Sequence, residues 1–531
     1  MPEQLQSGQE EPAVTIQPAP QTPTAKAPEA STRWLALAVL CASVLIINLD
    51  NTVLNVALPT LARDLRATSS DLQWIVDAYI IVFAGLLLTA GSLADRVGRK
   101  KTFLAGLAVF AAGSTVAAFS GDVSALIAAR AGMGVGGALM YPSTLSIISN
   151  MFHDPEERQR AIALWAGIGG IGVALGPVIG GLLLARFWWG SVFLINMPIA
   201  AVALVAAVFL VPDSKNPHVQ APDLPGVALS IAGIGSLLWA IIEAPTRGWS
   251  SPAVIGVFAA SLVILAAFAT WERRTTHPML NLSFFRQRSF SAAIPAVATA
   301  TFGLYGALFV LTQFFQFNNG FTPLQTGVRL LPAAGAVVVV APASALLIRA
   351  IGIKLTMTAG LAMIAFGLWQ VSGATVTTTF AGTVLGMVLL GAGAGLTLPT
   401  ASGSVIGSAP PSDSGVASAT NSTAFQLGGA LGVGVVGSVL NTRYQNDMTA
   451  ALAGQHLPHA ALAASQGSFG GALAAAAAVG GHGGELLVDL AKTAFVSGMD
   501  LGLLAAAAAA VAGILVVLIW LPARPGREPR H

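Results

Sequence analysis

The chain has 531 residues, of which 55% are hydrophobic and only 9% are charged. Soluble domains carry roughly a quarter charged residues, so this composition excludes a soluble protein and indicates one surrounded mostly by lipid. The net charge of +3 indicates no particular partner, because membrane proteins distribute charge by the side of the bilayer. The single cysteine, Cys41, excludes an intramolecular disulfide.

Residues 1–33 predict a disordered tail, because they are rich in Pro, Gln, Glu, Ala and Thr and cannot bury a core. The tail lacks a basic region and a small-residue cleavage site. We therefore expect the first apolar stretch to be a retained helix and not a cleaved signal peptide.

Apolar stretches long enough to cross a bilayer, which takes about 20 residues each, follow one another along the chain. They are 34–58, 72–90, 102–119, 124–148, 161–184, 192–211, 224–242, 253–271, 291–313, 327–348, 355–371, 380–400, 416–440 and 499–521. The predicted fold class is an all-α polytopic membrane protein with fourteen spans.

Basic residues fall unequally on the two sides of these spans. With a cytoplasmic N-terminus, about 18 of the 26 Lys and Arg residues lie on the cytoplasmic side, as the positive-inside rule requires. We therefore predict that both termini are cytoplasmic. The spans divide into an N-terminal six-helix bundle (34–211), two inserted helices with cytoplasmic connectors (212–289) and a C-terminal six-helix bundle (290–531). The last part includes a long external loop, 441–492, with a short helix near 460–478, and a short cytoplasmic tail.

A short basic loop, GSLADRVGRKKTF, separates the second and third spans. Its cations would be expelled from hydrocarbon, and its aspartate can pair with a cation or with the positive N-terminal end of a helix. The spacing resembles the signature loop between helices 2 and 3 of the major facilitator superfamily. The residues that form this conformational motif are Gly91, Asp95, Arg96, Gly98 and Arg99.

A glycine pattern, G-x-x-x-G-P-x-x-G-G, lies inside the fifth span. Glycines four residues apart let another backbone approach closely, and the proline bends the helix. Ordinary tight packing would explain such a face, but the complete pattern resembles the fifth-helix motif of exporters in the superfamily. Its residues are Gly172, Gly176, Pro177, Gly180 and Gly181. The resemblance implies outward transport.

Two further patterns resemble drug:proton antiporters, including the fourteen-span EmrB/QacA branch. The pattern D-x-T-V-x-N-V-A-L-P begins at Asp50, and L-x-x-x-R-x-x-M-G-x-G-G-A contains Arg130, the arginine implicated in proton coupling in that family. Met133 stands where a glutamine is usual. The resemblance covers 34–440. It implies two six-helix bundles of inverted repeats with helices 7 and 8 inserted, and alternating access of a central cavity.

Asp50, Asp77 and Arg130 are the ionisable residues that stand out away from span ends, where such groups are functional suspects. They lie about 12, 8 and 9 Å below the external span ends, which places them in one layer. Apolar surroundings favour a protonated carboxyl group, and a neighbouring guanidinium favours the ionised one. We expect Asp50 to carry the proton, Arg130 to tune its affinity, and Asp77 to modulate coupling or contact a cation. The alternatives are a static ion pair, or a hydrogen bond from Asp77 to Tyr79 or a facing helix.

The function predicted from these residues is proton-driven efflux of an amphipathic drug or antibiotic, including organic cations, across a bacterial inner membrane. Candidate substrate-binding residues are Trp74, Tyr141, Phe315, Asn421 and Gln426, although most aromatic residues in helix bundles only pack. A proton-coupled importer of a small metabolite and a non-transporting sensor or scaffold are the alternatives. An enzyme is not expected, because the spans hold no Ser/His/Asp, Cys/His or metal-ligand constellation. No cofactor, metal site or nucleic-acid partner is expected.

Overall fold

The computed structural model describes residues 30–152, 154–214, 223–275, 280, 282–409, 414–454 and 458–522. Within these ranges the fold is helical and contains no strands. Fourteen helical segments of the described chain are long and apolar enough to cross a membrane. The prediction of an all-α protein with fourteen spans is therefore confirmed.

The first half of the chain forms seven helices and is followed by a helical pair. The seven are α1 (Ala30–Asp64), α2 (Ser69–Val97), α3 (Arg99–Ala118), α4 (Val123–Met151), α5 (Pro155–Arg186), the short α6 (Ser191–Leu194) and α7 (Asn196–Leu210). The pair is α8 (Leu224–Arg247) and α9 (Pro252–Arg274). α6 and α7 together form the sixth span.

The second half begins after a 3₁₀ turn at Leu282–Arg286. Its helices are α10 (Arg288–Gln313), α11 (Pro323–Arg329), α12 (Leu331–Val340), α13 (Ala343–Ser372), α14 (Phe380–Ser408), α15 (Ser414–Ala451), α16 (His459–Gly467), α17 (Phe469–Val479) and α18 (Gly481–Trp520). A π turn, Phe314–Asn318, prolongs α10, and α11 and α12 share one span.

Side-chain caps start several of these helices. Thr68 and Asp71 form a reciprocal capping box at the start of α2. Asp122, Asp154 and Asp223 each accept a backbone N–H in the first turn of the helix that follows. Such caps satisfy N–H groups that have no partner inside the helix, so the helices begin at these polar residues.

The predicted external loop 441–492 is wrong in its bounds. α15 continues to Ala451 and α18 begins at Gly481, so helical structure covers both ends of that segment. The hydropathy pattern missed these extensions because polar helix ends need no apolar stretch. An Arg443–Asp447 ion pair, 3.1 Å between Nε and Oδ2, supports the extended α15. The single short helix expected near 460–478 is two helices, α16 and α17.

The two halves meet at the end of the molecule where α1 finishes and α2 begins, which we name the closed end. The Gln316 side chain donates to the Val56 carbonyl across the two halves, 2.8 Å between Nε2 and O. Gly437 of α15 faces Gln73 of α2, with room for no larger residue. Close helix contact thus joins the first and second halves at this end. Gly98 lies a membrane-spanning distance away, beyond the other end of α2.

The helical pair α8–α9 lies beside this junction. α8 packs against both α2 and α15, whereas α9 packs on α8 and has few buried residues. A helix that is apolar on all sides and largely unburied by protein suits a position against lipid. We retain the division into six, two and six helices as a proposal, which this packing supports.

Candidate functional site

A buried ion pair joins α1 to α4. The Arg130 guanidinium donates to one carboxylate oxygen of Asp50, and both side chains are 1% exposed. A charge inside an apolar bundle is costly unless a partner of opposite sign meets it, and here each charge is that partner. The structure therefore brings together two of the three residues whose depth placed them in one layer.

Further polar groups complete the coordination of both charges. Arg130 Nε donates to the Ile75 carbonyl at 3.0 Å, and its guanidinium carbon lies 4.5 Å from the centre of the Tyr79 ring. Asn196 Nδ2 donates to the other oxygen of Asp50 at 3.1 Å and contacts Ser114 Oγ at 3.0 Å. Residues of α2, α3 and α7 thus hold the ion pair in place, and several contacts fix the positions of both side chains.

Asp77 lies apart from this pair. It is fully buried on α2 and faces Gly434 of α15, where an added Cβ would lie 3.5 Å from Asp77 Oδ2. Neither of its carboxyl oxygens has a hydrogen-bond partner within the described chain. The alternative of a hydrogen bond to Tyr79 or a facing helix is therefore wrong for this conformation. Asp77 instead occupies the contact surface between the two halves.

The glycine face of α5 packs against the helix that carries Asp50. An added Cβ at Gly176 would overlap Thr52, and one at Gly180 would lie 3.0 Å from the Val53 carbonyl oxygen. Gly172 abuts α1 at Leu45, which extends the same face. Only glycine permits this approach, so the motif fixes how closely α5 can hold α1.

The other side of the same motif meets the second half of the chain. An added Cβ at Gly181 would clash with Leu324 of α11, and one at Gly327 of α11 would clash with the Pro177 carbonyl. Pro177 lies inside α5 and leaves that helix with one backbone hydrogen bond fewer. α5 is therefore wedged between α1 and α11 at the closed end.

The basic loop lies at the opposite end of the molecule. Gly98 joins α2 to α3 with φ +123°, a conformation that side chains with a Cβ rarely adopt. Arg99 N donates to the Ser214 carbonyl at 2.9 Å and its Nη1 reaches the Ser146 carbonyl at 3.4 Å. Arg96 is exposed, Gly91 packs near Pro142, and the side chain of Asp95 lies outside the described part of the chain.

Tyr141 belongs to a run of aromatic rings at the centre of the fold. Its ring centre lies 5.3 Å from that of Trp165 and 5.9 Å from that of Phe83. Tyr305 of α10 lies near Tyr141 and packs against Phe425, with the Tyr305 and Phe425 ring centres 6.1 Å apart. Aromatic residues of both halves thus face one another across the central region.

The remaining candidate binding residues are dispersed. Asn421 accepts a hydrogen bond from Ser402 at 3.2 Å, and Gln426, the neighbour of Phe425, is partly buried. Phe315 does not line an open space in this conformation: it is fully buried against Phe321 and Phe380 at the closed end. The expectation that it lines a cavity fails because the π turn after α10 directs it into this aromatic cluster.

Trp74 also lies away from the central region. It lines a groove of about 400 Å³ between α2 and α8, together with Ile81 and Trp239. Its place on α2 is on the side that the inserted pair covers. The sequence could not separate this side from the central one, because both are apolar.

Several residues at the site went unassigned from sequence. Asn196 holds Asp50, and Trp165, Tyr305 and Phe425 extend the aromatic run around Tyr141. Asn196 had a signal: a polar amide inside an apolar span, at the external side that Asp50 and Arg130 share. Asn196 is not ionisable, however, so the depth of the ionisable residues does not point to it.

Comparison with known proteins decides the family. The Major Facilitator Superfamily profile matches residues 40–433. The chain belongs to the Major Facilitator Superfamily. It is therefore a multi-pass membrane transporter and not an enzyme.

Several superfamily members are similar over most of their length. The multidrug efflux pump LfrA of Mycolicibacterium smegmatis is 37% identical over 91% of this chain and 96% of its own. The tetracenomycin C resistance and export protein of Streptomyces glaucescens is 33% identical, with 93% and 92% covered. The methyl viologen resistance protein SmvA of Salmonella typhimurium is 30% identical, with 92% and 98% covered.

Solved structures agree at the level of the fold. A bacterial homologue of the human lysosomal transporter Spinster, solved in an inward-facing and unoccupied conformation, aligns with a TM-score of 0.66 at 15% identity. The alignment covers 94% of this chain and all of the other. This likeness establishes the major facilitator fold of the chain.

Proposed function

We propose that this transporter is a proton-driven exporter of amphipathic, drug-like molecules, including organic cations, that works by alternating access. The observation that carries the proposal is the Asp50–Arg130 ion pair, buried inside a membrane-spanning bundle. Ionisable groups at that depth are costly, and they recur where ions or protons cross the bilayer.

The ion pair supplies a switch that a proton can operate. Protonation of Asp50 removes the negative charge that Arg130 faces. The guanidinium then keeps the Ile75 carbonyl and the Tyr79 ring as partners, neither of which carries a charge. A buried charge without its partner is unfavourable, so the neutral form of Asp50 favours a different packing of α1 and α4. The ionised pair in this structure corresponds to the state after proton release.

Asp77 supplies a second acid at the junction of the two halves. A lone carboxylate enclosed between α2 and α15 would cost several kcal/mol, so closure there favours a neutral, protonated Asp77. Ionised Asp77 favours separation of α2 from α15. Proton uptake and closure of this end are therefore linked.

The basic loop supports an orientation for the cycle. The loop with Arg96 and Arg99 belongs on the cytoplasmic side by the positive-inside rule, which also places both termini there. The closed end then faces outward, and this structure corresponds to a state closed to the exterior. The host membrane in this proposal is the inner membrane of a bacterium.

The aromatic run around Tyr141 supports the substrate class. Rings such as those of Trp165, Tyr305 and Phe425 offer flat apolar faces, and such faces attract organic cations. Asn421 and Gln426 on α15 add amide groups that can accept or donate hydrogen bonds. Methyl viologen, named for one relative, is a planar organic dication, and drug efflux is named for another.

Dye uptake into inverted membrane vesicles tests this function. With an imposed proton gradient, vesicles that contain the protein are expected to accumulate an ethidium-like cation, and a protonophore should abolish the accumulation. Loss of dye from loaded inverted vesicles would indicate import. Absence of any flux that depends on the protein would favour a sensor or scaffold.

A further inference from the structure

The inserted helix α8 bridges the junction that encloses Asp77. Two consecutive carbonyls of α8 accept hydrogen bonds from serine hydroxyl groups that belong to opposite halves of the transporter. Ser70 of α2 donates to the Ile242 carbonyl at 3.2 Å, and Ser438 of α15 donates to the Ile241 carbonyl. Both serines are buried, so water does not compete for these bonds in this conformation.

Pro245 explains why the Ile241 carbonyl is available. In an uninterrupted helix this carbonyl would accept the N–H of residue 245, but proline has no N–H. A buried carbonyl without a partner is unfavourable, so the chain needs an external donor at this point. Ser438 of α15 is that donor.

The two attachments of α8 are distributed differently along the membrane. Contacts with α2 run from Ser70 to Gly85, where Ile231 packs against the glycine, and cover about 22 Å of helix. On α15, the residues that α8 contacts closely, Gly434 and Ser438, lie about 6 Å apart along the helix, near the closed end, and Trp249, just beyond α8, reaches Thr442. Separation of the two halves at the closed end acts directly on the α15 contacts, whereas the contact at Gly85 lies away from that end.

We propose that α8 is a latch that stays on α2 and releases α15 each time the closed end opens. The latch consists of the Ser438–Ile241 bond, the packing of Leu238 on Gly434, and the Trp249–Thr442 hydrogen bond of 3.0 Å. Ser438 and Pro245 are positioning residues for this movement. Once the end opens, water can reach the Ile241 carbonyl in place of Ser438.

The latch rests on the proposed alternating access, but it can be measured without substrate. In a Cys41→Ala background, Gln73→Cys reports opening, because position 73 is buried under Gly437. We expect Ser438→Ala to speed labelling of this thiol by a membrane-permeant maleimide about threefold to tenfold, the ratio that one hydrogen bond is worth. Ser418→Ala, also on α15, is the matched control and should leave the rate unchanged.

Pro245→Ala gives an independent variant. It restores an N–H at residue 245 that can donate to the Ile241 carbonyl inside α8. Because this N–H competes with Ser438 for the carbonyl, the bond between α8 and α15 weakens and labelling should again accelerate. Unchanged labelling in both Ser438→Ala and Pro245→Ala would overturn the latch. If the two variants label faster but the parent protein shows no dye flux, the latch is supported and the proposed function is contradicted instead.

Cross-linking identifies which attachment must break. A short bifunctional thiol reagent joining Trp249→Cys to Thr442→Cys should arrest dye flux and keep position 73 protected. The same reagent joining Ile81→Cys to Gly235→Cys fastens α8 to α2 and should leave flux unchanged. The reverse pattern would show that α8 travels with α15 and would contradict the proposal.

Discussion

Asp50 and Arg130 are 80 residues apart in sequence and form one ion pair across α1 and α4. Asn196 holds the second oxygen of the carboxylate, and the Ile75 carbonyl holds the guanidinium. These partners and the Tyr79 ring all belong to the N-terminal half. A change in the charge of Asp50 therefore acts first on the packing within that half, and through α5 on its contact with α11.

Asp50→Asn removes the titratable group and nearly preserves its shape. We expect accumulation against a gradient to disappear, while downhill exchange of dye persists. Exchange of one proton for one monovalent cation moves no net charge, so the pH difference drives it. One pH unit supplies about 1.4 kcal/mol, and the loss amounts to roughly tenfold in concentration ratio per pH unit. Dye uptake in inverted vesicles measures it. Asp64→Asn, at the exposed end of α1, is the control and should behave as the parent protein.

Arg130→Ala leaves Asp50 buried without its cation and is expected to cost about 3–5 kcal/mol of stability. Thermal unfolding of the purified protein in detergent measures this. The double variant Asp50→Ala with Arg130→Ala should lose less than the two single variants combined, because it leaves no orphan charge. Strictly additive losses would mean that the two side chains do not stabilise each other.

Gly176→Ala should disturb the contact between α5 and α1, because the added methyl group overlaps Thr52. We expect a loss of dye flux together with a lower unfolding temperature. Gly170→Ala is the matched control on the same helix, since no described atom beyond its chain neighbours and the adjacent helix backbone lies within 4 Å of its added Cβ. Equal behaviour of the two variants would contradict the role given to the glycine face.

Gly98→Ala tests the turn between α2 and α3. Alanine at φ +123° is strained, and such strain costs about 1–3 kcal/mol. Lower thermal stability is expected for this variant. Gly121→Ala, at an exposed turn without a positive φ, should retain the parent value.

Asp77→Asn imitates the neutral carboxyl group permanently. We expect it to favour the closed end at every pH, whereas the parent protein should close more as the pH falls. Spin labels at the exposed positions Arg63→Cys and Val328→Cys report the separation of α1 from α11. A distance distribution that responds to pH equally in both proteins would assign the titration to another group.

Sequence alone predicted most of the fold, because each span is a separate apolar segment. It misjudged the segment 441–492, where α15 and α18 continue beyond the apolar stretches as polar or alanine-rich helices. Hydropathy detects the part of a helix that contacts lipid. It does not detect where the helix ends in water.

The site was predictable in part for a related reason. Helix rise gives the depth of a residue, and depth placed Asp50 near Arg130. Which neighbour a residue contacts depends on its angular position around the helix axis. Where a helix is apolar on every side, the sequence does not indicate that position. Trp74 and Asp77 are three residues apart on α2, yet one lines the groove beside α8 and the other faces α15.

The central claim is that a proton on Asp50 is exchanged for substrate. Liposomes with purified protein and an acidic interior test it when a pH-sensitive dye reports the internal pH. Addition of an ethidium-like cation should dissipate the gradient in the parent protein and in Asp64→Asn, but not in Asp50→Asn. Dissipation at the parent rate in Asp50→Asn, with equal amounts of folded protein, would contradict the account.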